Sequence, residues 1–559
     1  MTSIANHTGT KDVPSSVPEE EKRVNVLEKT QSYTDQPAES YAIREDNLSR
    51  VLSARQVQMI AIGGTIGTGL FLGSGKALAN SGPASMLIAY LVVGAIVFVT
   101  MLSLGEMTAL IPVAGCFCTF TSFVDDALGF AMTWNYWFNN AVTVASDMVA
   151  LQLLLAYWTN NFPGWALSLI VWVVLIGLNI ITTKAYGETE YWLSLLKVIT
   201  ITVSEPWLVS NSTRDNRYNQ IFMILGIVVN CGANTDHTYI GGKNWHVGDA
   251  PFVGGIGGFA SVFVTASFSY GGTESIGITA GETKNPAKNL PQVVKNVFWR
   301  ILIFYILSVL LIGLNVPYNY PGLNTKNVNT SPFTIVFQQV GAKAAGSFMN
   351  AVILTSVISA GNHALFAGTR LVYTMSCSGH APKCFGRLNK RKVPWVAVLI
   401  TSSISALCFG ASKIGAGELW SWLQNIVGVS NQLAWIAINL TSIRFRSALK
   451  AQGKTEYLSY RNPTYPWGPW TCVFLCSSII LVQGWTAFSP SFKVVDFFSL
   501  YIELPIMAVM YVAWKLFKKT KIPALKDIDV ETDRYVPLPE EFTSEGVQGK
   551  LKRYLGWIL

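Results

Sequence analysis

Long apolar runs separated by short polar or charged segments dominate this chain of 559 residues. A helix needs about 20 apolar residues to cross a bilayer. Twelve runs meet or approach that length, and they lie at 57–80, 86–110, 130–157, 164–183, 191–232 (interrupted), 255–279, 299–316, 346–375, 394–412, 419–443, 469–488 and 496–516. The pattern predicts an all-α membrane protein with twelve transmembrane helices.

The composition agrees with this prediction, because only 13% of the residues are charged and 50% are hydrophobic. Soluble domains carry about 25% charged residues. The charges that remain are concentrated in the terminal segments and between the apolar runs. Residues 1–55 are polar and contain no apolar signal-peptide core, so we expect no cleaved signal and a disordered N-terminal tail.

Lysine and arginine residues set the expected orientation, since they accumulate on the cytoplasmic side of membrane proteins. With the N-terminus placed inside, the outer loops hold only Lys243, Lys326, Lys343, Lys413 and Lys493. The larger basic blocks between the runs then face the cytoplasm, and so do both termini. The net charge of +9 follows from this bias, so we expect the lipid bilayer, and no nucleic acid, as the partner of the basic segments.

Six glycines crowd the first run, in the stretch AIGGTIGTGLFLGSG at Ala61–Gly75. Each glycine inside a helix costs about 1 kcal/mol relative to alanine. A dinucleotide-binding loop would need a preceding strand and an acid about 20 residues later, whereas the next acid is Glu106. Two interpretations remain. Small residues can pack helices closely, or the helix can unwind in mid-membrane and expose its backbone to a ligand.

The sixth run favours the second interpretation, because SFSYGGTESIGITAGE at Ser267–Glu282 again places Gly-Gly-Thr within apolar sequence. Glycine-broken helices at matched positions of two halves mark the binding site in transporters built from inverted repeats. An unwound backbone at that depth must line protein or water. We therefore expect helices 1 and 6 to be broken around a ligand site.

Three motifs in this order resemble the fungal amino acid permeases, the yeast amino acid transporter family of the amino acid–polyamine–organocation superfamily. They are GGTIGTGLFLGSG in the first run, GTESIGITAGETKNPAKNLP in and after the sixth, and TSIRFRSALKAQG after the tenth. The resemblance extends from about Leu48 to Lys521. It implies a 5+5 inverted repeat plus two extra helices, and proton-coupled import of amino acids across the plasma membrane.

The resemblance also divides the chain. We expect a cytoplasmic N-terminal tail at 1–55, a first five-helix repeat at 56–232, a second repeat at 233–445, helices 11 and 12 at 446–520 and a cytoplasmic C-terminal tail at 521–559. The family further implies ubiquitin ligase adaptors as partners of the tails, with Lys11, Lys22 and Lys29 as acceptors. The alternative is that these three lysines are only solvated.

An amino acid zwitterion needs N–H donors for its carboxylate and oxygen acceptors for its ammonium. The second half of a broken helix 1 offers N–H groups at its positive dipole end, and the ammonium then binds carbonyls near Ile62 and at the break in helix 6. Two aromatic residues at that break either cover the ligand or belong to the core. The predicted substrate-binding residues are Ile62, Gly64, Thr65, Gly67, Thr68, Gly69, Asp147, Phe268, Ser269, Tyr270, Gly271, Gly272, Thr273 and Glu274. No cofactor is implied, and without a Cys-x-x-C pair we expect no metal site.

Three of the ionisable residues inside the predicted spans are candidates for a functional role, because a charge is energetically expensive there. Asp147 in helix 3 is either a packing partner or a counter-charge for substrate or proton; the resemblance supports the second, because the matching family position usually carries an acid. Glu274 can face the substrate or the proton path. Lys197 in helix 5 either snorkels to the cytoplasmic face or couples protons, since burial disfavours a charged amine, with Ser356 and Ser359 as neighbours. The predicted proton-coupling residues are Lys197, Asp147 and Glu274.

One segment departs from the membrane pattern. VSEPWLVSNSTRDNRYNQ at Val203–Gln220 brings charges into the fifth run, and neither flanking half can cross a bilayer of about 30 Å alone. Its eighteen residues correspond to 54 nucleotides at three per codon. Val-Ser can be encoded by the 5′ splice-site sequence GTGAGT, and the final Gln by a CAG acceptor. We interpret the segment as an intron translated in error; a genuine re-entrant or extended loop is the alternative.

The sequence thus predicts a plasma-membrane amino acid/proton symporter and not an enzyme. The GITAGE stretch of helix 6 and Asp147 favour cationic substrates, lysine or arginine. The first alternative is a broad-specificity permease for neutral amino acids. The second is a transceptor, which senses amino acids and signals with little transport; the tails carry no recognisable signalling domain, which disfavours it.

Overall fold

The apolar runs fold into helices in the computed structural model. It describes residues 66–113, 115–159, 161–181, 183–202, 222–277, 293–299, 301–323, 331–341, 343–489, 491–532 and 534. No strand occurs within these ranges, and the described residues of each of the twelve predicted spans are mainly helical. The prediction of an all-α membrane protein is confirmed.

Twelve helices carry labels here. They are α1 Ser74–Leu110, α2 Asp126–Leu155, α3 Gly164–Ile181, α4 Thr183–Thr202, α5 Gly255–Tyr270, α6 Ser308–Asn315, α7 Lys343–Ser378, α8 Trp395–Ser405, α9 Ala416–Ala451, α10 Trp467–Val482, α11 Val494–Tyr501 and α12 Glu503–Lys518. Shorter α-helical pieces are Cys116–Phe120, Phe222–Asn230, Pro332–Gln338, Ala411–Ile414 and Trp485–Phe488. The π-helical turns Gly69–Gly73 and Ile301–Leu307 lead into α1 and α6, and 3-10 turns lie at Thr121–Phe123, Lys243–Trp245, Thr273–Ile276, Lys383–Gly386, Ala406–Gly410 and Thr455–Tyr457.

Eight helices in the described ranges are long and apolar enough to cross a bilayer, and the pair α11–α12, bent by 45°, adds a ninth. The count falls below twelve for local reasons. Two predicted spans are joined in α1, which bends at Gly82, where φ is +78°, before Pro83. Four charged residues lie within α4, and α5 has only 16 residues. Side chains such as Phe474 and Leu481, 70% and 74% exposed, cover the outer surface with apolar groups that hydrocarbon accepts and water does not.

Helix α2 lies at the centre of the bundle. Its most extensive contacts are with α7 and α9, while α1 packs most extensively on α5. More than three turns of α2 in a row, from Asn139 to Leu151, are buried apart from Thr143. The pair α2–α7 and the pair α1–α5 therefore enclose a buried space, and α9 closes one side of it.

Charged groups tie the helix ends together on the side of the bundle that the charge pattern predicts to be cytoplasmic. Glu106, at the end of α1, is fully buried and accepts hydrogen bonds from Arg446 Nε at 2.8 Å and from the Asn462 N–H at 2.5 Å. The same carboxylate forms an ion pair with Arg446. A buried ion pair whose partner is removed leaves an uncompensated charge, so this contact fixes α1 against α9 and the loop that follows it.

A second group of contacts lies at the start of α2. Asp125 is the N-cap residue of α2 and accepts from the Ala127 N–H at 3.1 Å. Tyr511 Oη donates to the same carboxylate at 2.8 Å, and Lys515 forms an ion pair with it. One residue later, Asp126 accepts from Trp514 Nε1 at 2.9 Å. The end of α12 is thereby attached to the beginning of α2.

Candidate functional site

A short non-helical segment, which we call the first interruption, lies just before α1. It consists of Ile66 and Gly67, the first residues described, and the regular hydrogen-bonding pattern begins with the π-helical turn Gly69–Gly73. The first N–H groups of a helix have no acceptor within the helix. They also carry the positive end of the helix dipole. The start of this helix is therefore suited to bind an anion.

The second interruption ends α5 at Tyr270. Gly272 follows with φ +83°, a left-handed conformation that glycine adopts without a steric penalty, and the chain continues as the 3-10 turn Thr273–Ile276. The two interruptions touch each other. A Cβ on Gly69 would overlap the backbone of Ser269, and Ser269 Oγ donates to the Gly69 carbonyl at 2.7 Å.

A cavity of about 50 Å³ lies beside the two interruptions, between α2, α7 and α9. Its walls consist mainly of glycines and of hydroxyl and amide side chains. The lining residues are Gly67, Thr68, Gly69, Tyr136, Asn139, Asn140, Thr143, Asp147, Phe268, Ser269, Gly271, Gly272, Ala360, His363, Ala364, Val427 and Asn431. Eight of the fourteen residues predicted to bind substrate are among them: Gly67, Thr68, Gly69, Asp147, Phe268, Ser269, Gly271 and Gly272.

Asp147 supplies the only carboxylate among the described lining residues. Its side chain is buried, and Thr68 Oγ1 donates to its Oδ1 at 2.8 Å. Its Oδ2 has no hydrogen-bond partner in the described part of the chain. A buried carboxylate is costly unless it is paired. The free oxygen is therefore placed to accept a cation or a proton from the cavity.

A polar stripe on α2 leads to Asp147. Asn135, Asn139, Thr143 and Asp147 follow each other at a spacing of four residues, which places them on one face of the helix. Asn139 Nδ2 donates to Asn431 Oδ1 at 2.7 Å, and Thr143 Oγ1 donates to the Asn139 carbonyl at 2.9 Å. The sequence analysis missed Asn139, Thr143 and Asn431. The four-residue spacing of polar letters within an apolar run is the signal that predicts the first two.

His363 on α7 is another lining residue that the sequence analysis missed. Its Nδ1 lies 2.9 Å from Tyr186 Oη, and its Nε2 lies 2.6 Å from Ser275 Oγ. Ser275 belongs to the 3-10 turn after the α5 interruption. One imidazole therefore links α4, α7 and the broken helix at the wall of the cavity. A histidine inside an apolar run is a signal, although it does not reveal these partners.

Three predicted substrate-binding residues lie behind the wall of the cavity. The Tyr270 hydroxyl donates to a backbone carbonyl of α1 at 3.0 Å, and Thr273 Oγ1 donates to the Tyr270 carbonyl at 2.8 Å. Glu274 accepts from Tyr136 Oη at 2.7 Å and from Trp435 Nε1 at 3.2 Å. Since Tyr136 lines the cavity, Glu274 is one side chain away from it.

Lys197 on α4 is fully buried and is not among the described lining residues. It interacts electrostatically with Glu190 and Asp147. Of its two predicted neighbours, Ser359 Oγ donates to Glu190 Oε1 at 2.5 Å, and Ser356 Oγ donates to a backbone carbonyl of its own helix at 2.9 Å. The sequence analysis missed Glu190, whose position seven residues before Lys197 puts both side chains on one face of α4.

Several predicted residues lie outside the described part of the chain. They are Ile62, Gly64 and Thr65 of the predicted break in helix 1, the tail lysines Lys11, Lys22 and Lys29, and the segment Val203–Gln220.

A bundle of apolar helices with a buried polar cavity, which lies between a glycine-rich helix start and a glycine-rich break at the end of a second helix, is typical of a secondary transporter. The chain belongs to the amino acid permease family, whose model matches residues 56–205 and 218–527. The resemblance expected from the three motifs is thereby confirmed.

The alignments with relatives cover most of this chain. A protein of Schizosaccharomyces pombe named "Probable amino-acid permease" is 44% identical over 506 residues, which is 87% of this chain and 96% of the relative. The lysine-specific permease of Escherichia coli is 40% identical over 491 residues, 86% of this chain and 96% of the relative. A general amino-acid permease of Candida albicans is 38% identical over 509 residues, 89% and 84% of the two chains. Family membership defines amino acids as the substrate class.

Proposed function

We propose that this permease imports amino acids by proton symport across the plasma membrane and prefers substrates with a cationic side chain. The observation that carries the proposal is the Asp147 carboxylate, which is buried in the cavity wall with one oxygen unpaired among the described residues. A buried carboxylate is stabilised by opposite charge, and a cationic substrate would bind the unpaired oxygen in addition to the interaction of Asp147 with Lys197. The similarity to the lysine-specific permease of Escherichia coli supports the same preference.

The two interruptions suggest how the substrate binds. The α-carboxylate lies against the N–H groups of Gly67, Thr68 and Gly69, at the start of the helix that leads into α1, together with Gly64 and Thr65. The α-ammonium lies against the carbonyls at the end of α5, from Ser269 to Gly272, together with that of Ile62. The side chain then extends towards Asp147, and Phe268 covers the ligand.

Proton coupling in this scheme takes place around Lys197. Lys197 interacts electrostatically with Asp147, and Asp147 lines the cavity. A charge change at the substrate is therefore felt by the buried amine. Glu274 is a less direct candidate, because Tyr136 and Trp435 hold both of its oxygens.

The bilayer geometry follows from the distribution of basic residues. We place both termini, and the contacts of Glu106 and Asp125, on the cytoplasmic side. The tails are then accessible to ubiquitin ligase adaptors. The protein performs transport and no covalent chemistry.

A broad-specificity permease is the second candidate, and a specific observation favours it. Asn139, Asn140 and Asn431 give the cavity three amide side chains, which can bind polar or neutral ligands without a charge requirement. The similarity to a general amino-acid permease of Candida albicans agrees with this.

Uptake of labelled lysine by the chain without Val203–Gln220, in a fungal strain that lacks its own amino acid permeases, tests the proposal. We expect excess unlabelled lysine or arginine to abolish the signal, and excess leucine to reduce it little. Collapse of the proton gradient at constant membrane potential should lower accumulation. Equal competition by lysine and leucine would instead support the broad-specificity permease, and accumulation that is insensitive to the proton gradient would exclude symport.

A further inference from the structure

A second buried acid lies behind the cavity wall. Glu190 on α4 is 0% exposed, and Ser359 Oγ on α7 donates to its Oε1 at 2.5 Å, with Ser194 Oγ at 3.5 Å from the same atom. Glu190 Oε2 has no hydrogen-bond partner within the described ranges. An unpaired buried oxygen is far more costly on a carboxylate than on a neutral acid. The unpaired oxygen therefore favours the neutral form of Glu190, whereas the nearby charge of Lys197 favours the carboxylate.

Glu190, Ser194 and Lys197 form one stripe along α4, at spacings of four and three residues. Lys197 is the charged group that interacts with Glu190, and it also interacts with Asp147 on α2 and with His363 on α7. Of the two acids, only Asp147 lines the cavity. Lys197 thus connects an acid that faces the substrate with one that does not.

Counting charges shows which group can release a proton. When Asp147, Glu190 and Lys197 are all ionised, the three groups carry a net charge of −1. If Lys197 then lost its proton, the empty site would carry −2 in a dry interior, where each unpaired charge is costly. If Glu190 is the group that gains and loses the proton, the empty site carries −1. With a cationic substrate and a proton bound, the same site carries +1.

We propose that Glu190 holds the coupled proton, and that Lys197 remains protonated throughout the transport cycle. This inference rests on the proposed proton symport. Glu190 takes one proton from the outside as its charge changes from −1 to 0, and it returns that proton to the cytoplasm after the substrate has left. Asp147 stays ionised and available to the substrate, so proton and substrate occupy separate acids.

Purified protein in liposomes tests this with two readouts. The first is exchange of labelled external lysine for internal lysine without a gradient, and the second is accumulation driven by an inward proton gradient at zero membrane potential. One coupled proton supports about tenfold accumulation per pH unit. We expect Glu190→Gln to exchange lysine but to lose gradient-driven accumulation. Glu188→Gln, a partly exposed acid two residues away on the same helix, is the matched control and should retain both.

The outcomes separate the inference from the function on which it rests. If the unaltered protein exchanges lysine but ignores the proton gradient, the proposed symport fails. If the unaltered protein responds and Glu190→Gln still accumulates lysine tenfold per pH unit, the symport stands and Glu190 is not the proton-binding acid. If Glu190→Gln does not exchange lysine at all, the variant Glu190→Asp provides the test, because it keeps an acid at this position. We expect accumulation with a shifted pH midpoint from that variant, and an unshifted midpoint would overturn the inference.

Discussion

Asp147 carries a negative charge and is almost completely buried, and the described residues give a hydrogen bond to only one of its two carboxylate oxygens. Thr68 Oγ1 donates to one oxygen, and the other has no hydrogen-bond partner in the described ranges. In the proposed function, a cationic side chain pairs that oxygen and a neutral substrate leaves it unpaired. The proposal therefore assigns much of the selectivity to this one carboxylate.

Replacement of this residue provides a direct prediction. We expect Asp147→Asn to weaken lysine uptake far more than leucine uptake, because a lost contact between buried charges is worth about 2–5 kcal/mol. That corresponds to roughly a 30-fold or greater rise in the lysine concentration needed for half-maximal uptake. Labelled uptake at several concentrations of each substrate, normalised to surface expression, measures it.

Asn135 offers a control on the same stripe of α2. Its Nδ2 donates to Ser430 Oγ at 2.8 Å, and it is not among the described lining residues. Asn135→Ala should change lysine and leucine uptake to the same extent. Equal losses for both substrates in Asp147→Asn as well would leave Asp147 a role in coupling or packing but none in selectivity.

Gly67 separates a binding role from a packing role. A Cβ at this position would lie 2.7 Å from the Ala360 Cβ on α7, so any side chain there crowds α7 as well as the predicted carboxylate site. We expect Gly67→Ala to lose uptake, and the double variant Gly67→Ala, Ala360→Gly to reach the membrane without recovering it. Surface labelling together with uptake tests this. Full recovery in the double variant would show that the glycine serves helix packing alone.

The letters of the sequence reveal some of these residues and conceal others. Glycines and an aspartate stand out in an apolar run, because each is costly there unless it has a purpose. Asn139 and His363 are less conspicuous, since neutral polar side chains within membranes also serve helix packing. Glu190 was hidden for another reason: it lies near the start of its helix, where a charged residue is expected to reach the interface.

The segment that follows α4 departs from the family model. The family match stops at residue 205 and resumes at 218, inside the segment Val203–Gln220. This supports our proposal that the segment is a translated intron. We expect the chain without Val203–Gln220 to reach the plasma membrane and transport, and the 559-residue chain to remain in the endoplasmic reticulum. Fluorescent tagging with uptake measurement compares them, and normal transport by the longer chain would establish the segment as a genuine loop.

The N-terminus of α2 leads to a prediction about pH. Burial tends to raise the pKa of Asp125, but hydrogen bonds from Lys515, Tyr511 and the Ala127 N–H outweigh it and lower this pKa below its ordinary value. A carboxyl whose pKa is lower in the folded state stabilises the fold above its unfolded pKa of about 3.9. The stabilisation is lost as the pH falls through the folded-state value.

Asp125→Asn keeps a good N-cap residue and removes only the charge. We expect this variant to melt at a lower temperature than the unaltered protein at pH 6–7, and the difference to shrink below about pH 4. Thermal unfolding of detergent-solubilised protein measures it. The exposed acid Asp527 gives the control, since Asp527→Asn should have no effect at either pH. A difference that stays constant down to pH 3 would mean that the charge of Asp125 does not stabilise the fold.

Hydropathy predicts which segments are helices better than it predicts where those helices bend or break. The described residues of all twelve runs are mainly helical, because a backbone in hydrocarbon must satisfy its own hydrogen bonds. The bend at Gly82 and the interruption after Tyr270 depend on local glycine chemistry, and the latter was predicted. The π-helical turns were not, since their registers arise from contacts between helices.

The arrangement of the bundle was reached only through the family resemblance. Apolar runs reveal which segments are buried in the bilayer or the protein, but each lipid-facing surface is as apolar as a helix-facing one. That α2 packs on α7 and α9, and α1 on α5, therefore could not be read from periodicity. These pairs join the third span to the eighth and tenth, and the first two spans to the sixth.

The cavity has a consequence for inhibition. Its volume of about 50 Å³ holds about three to five water molecules, whereas lysine is far larger. A substrate must therefore part contacts such as the hydrogen bond between Asn139 and Asn431, and some of its binding energy is spent on that opening. A lysine analogue with a bulky group on its side chain would open the site in the same way but prevent it from closing again. Such a compound would act as a competitive blocker that is itself never carried across.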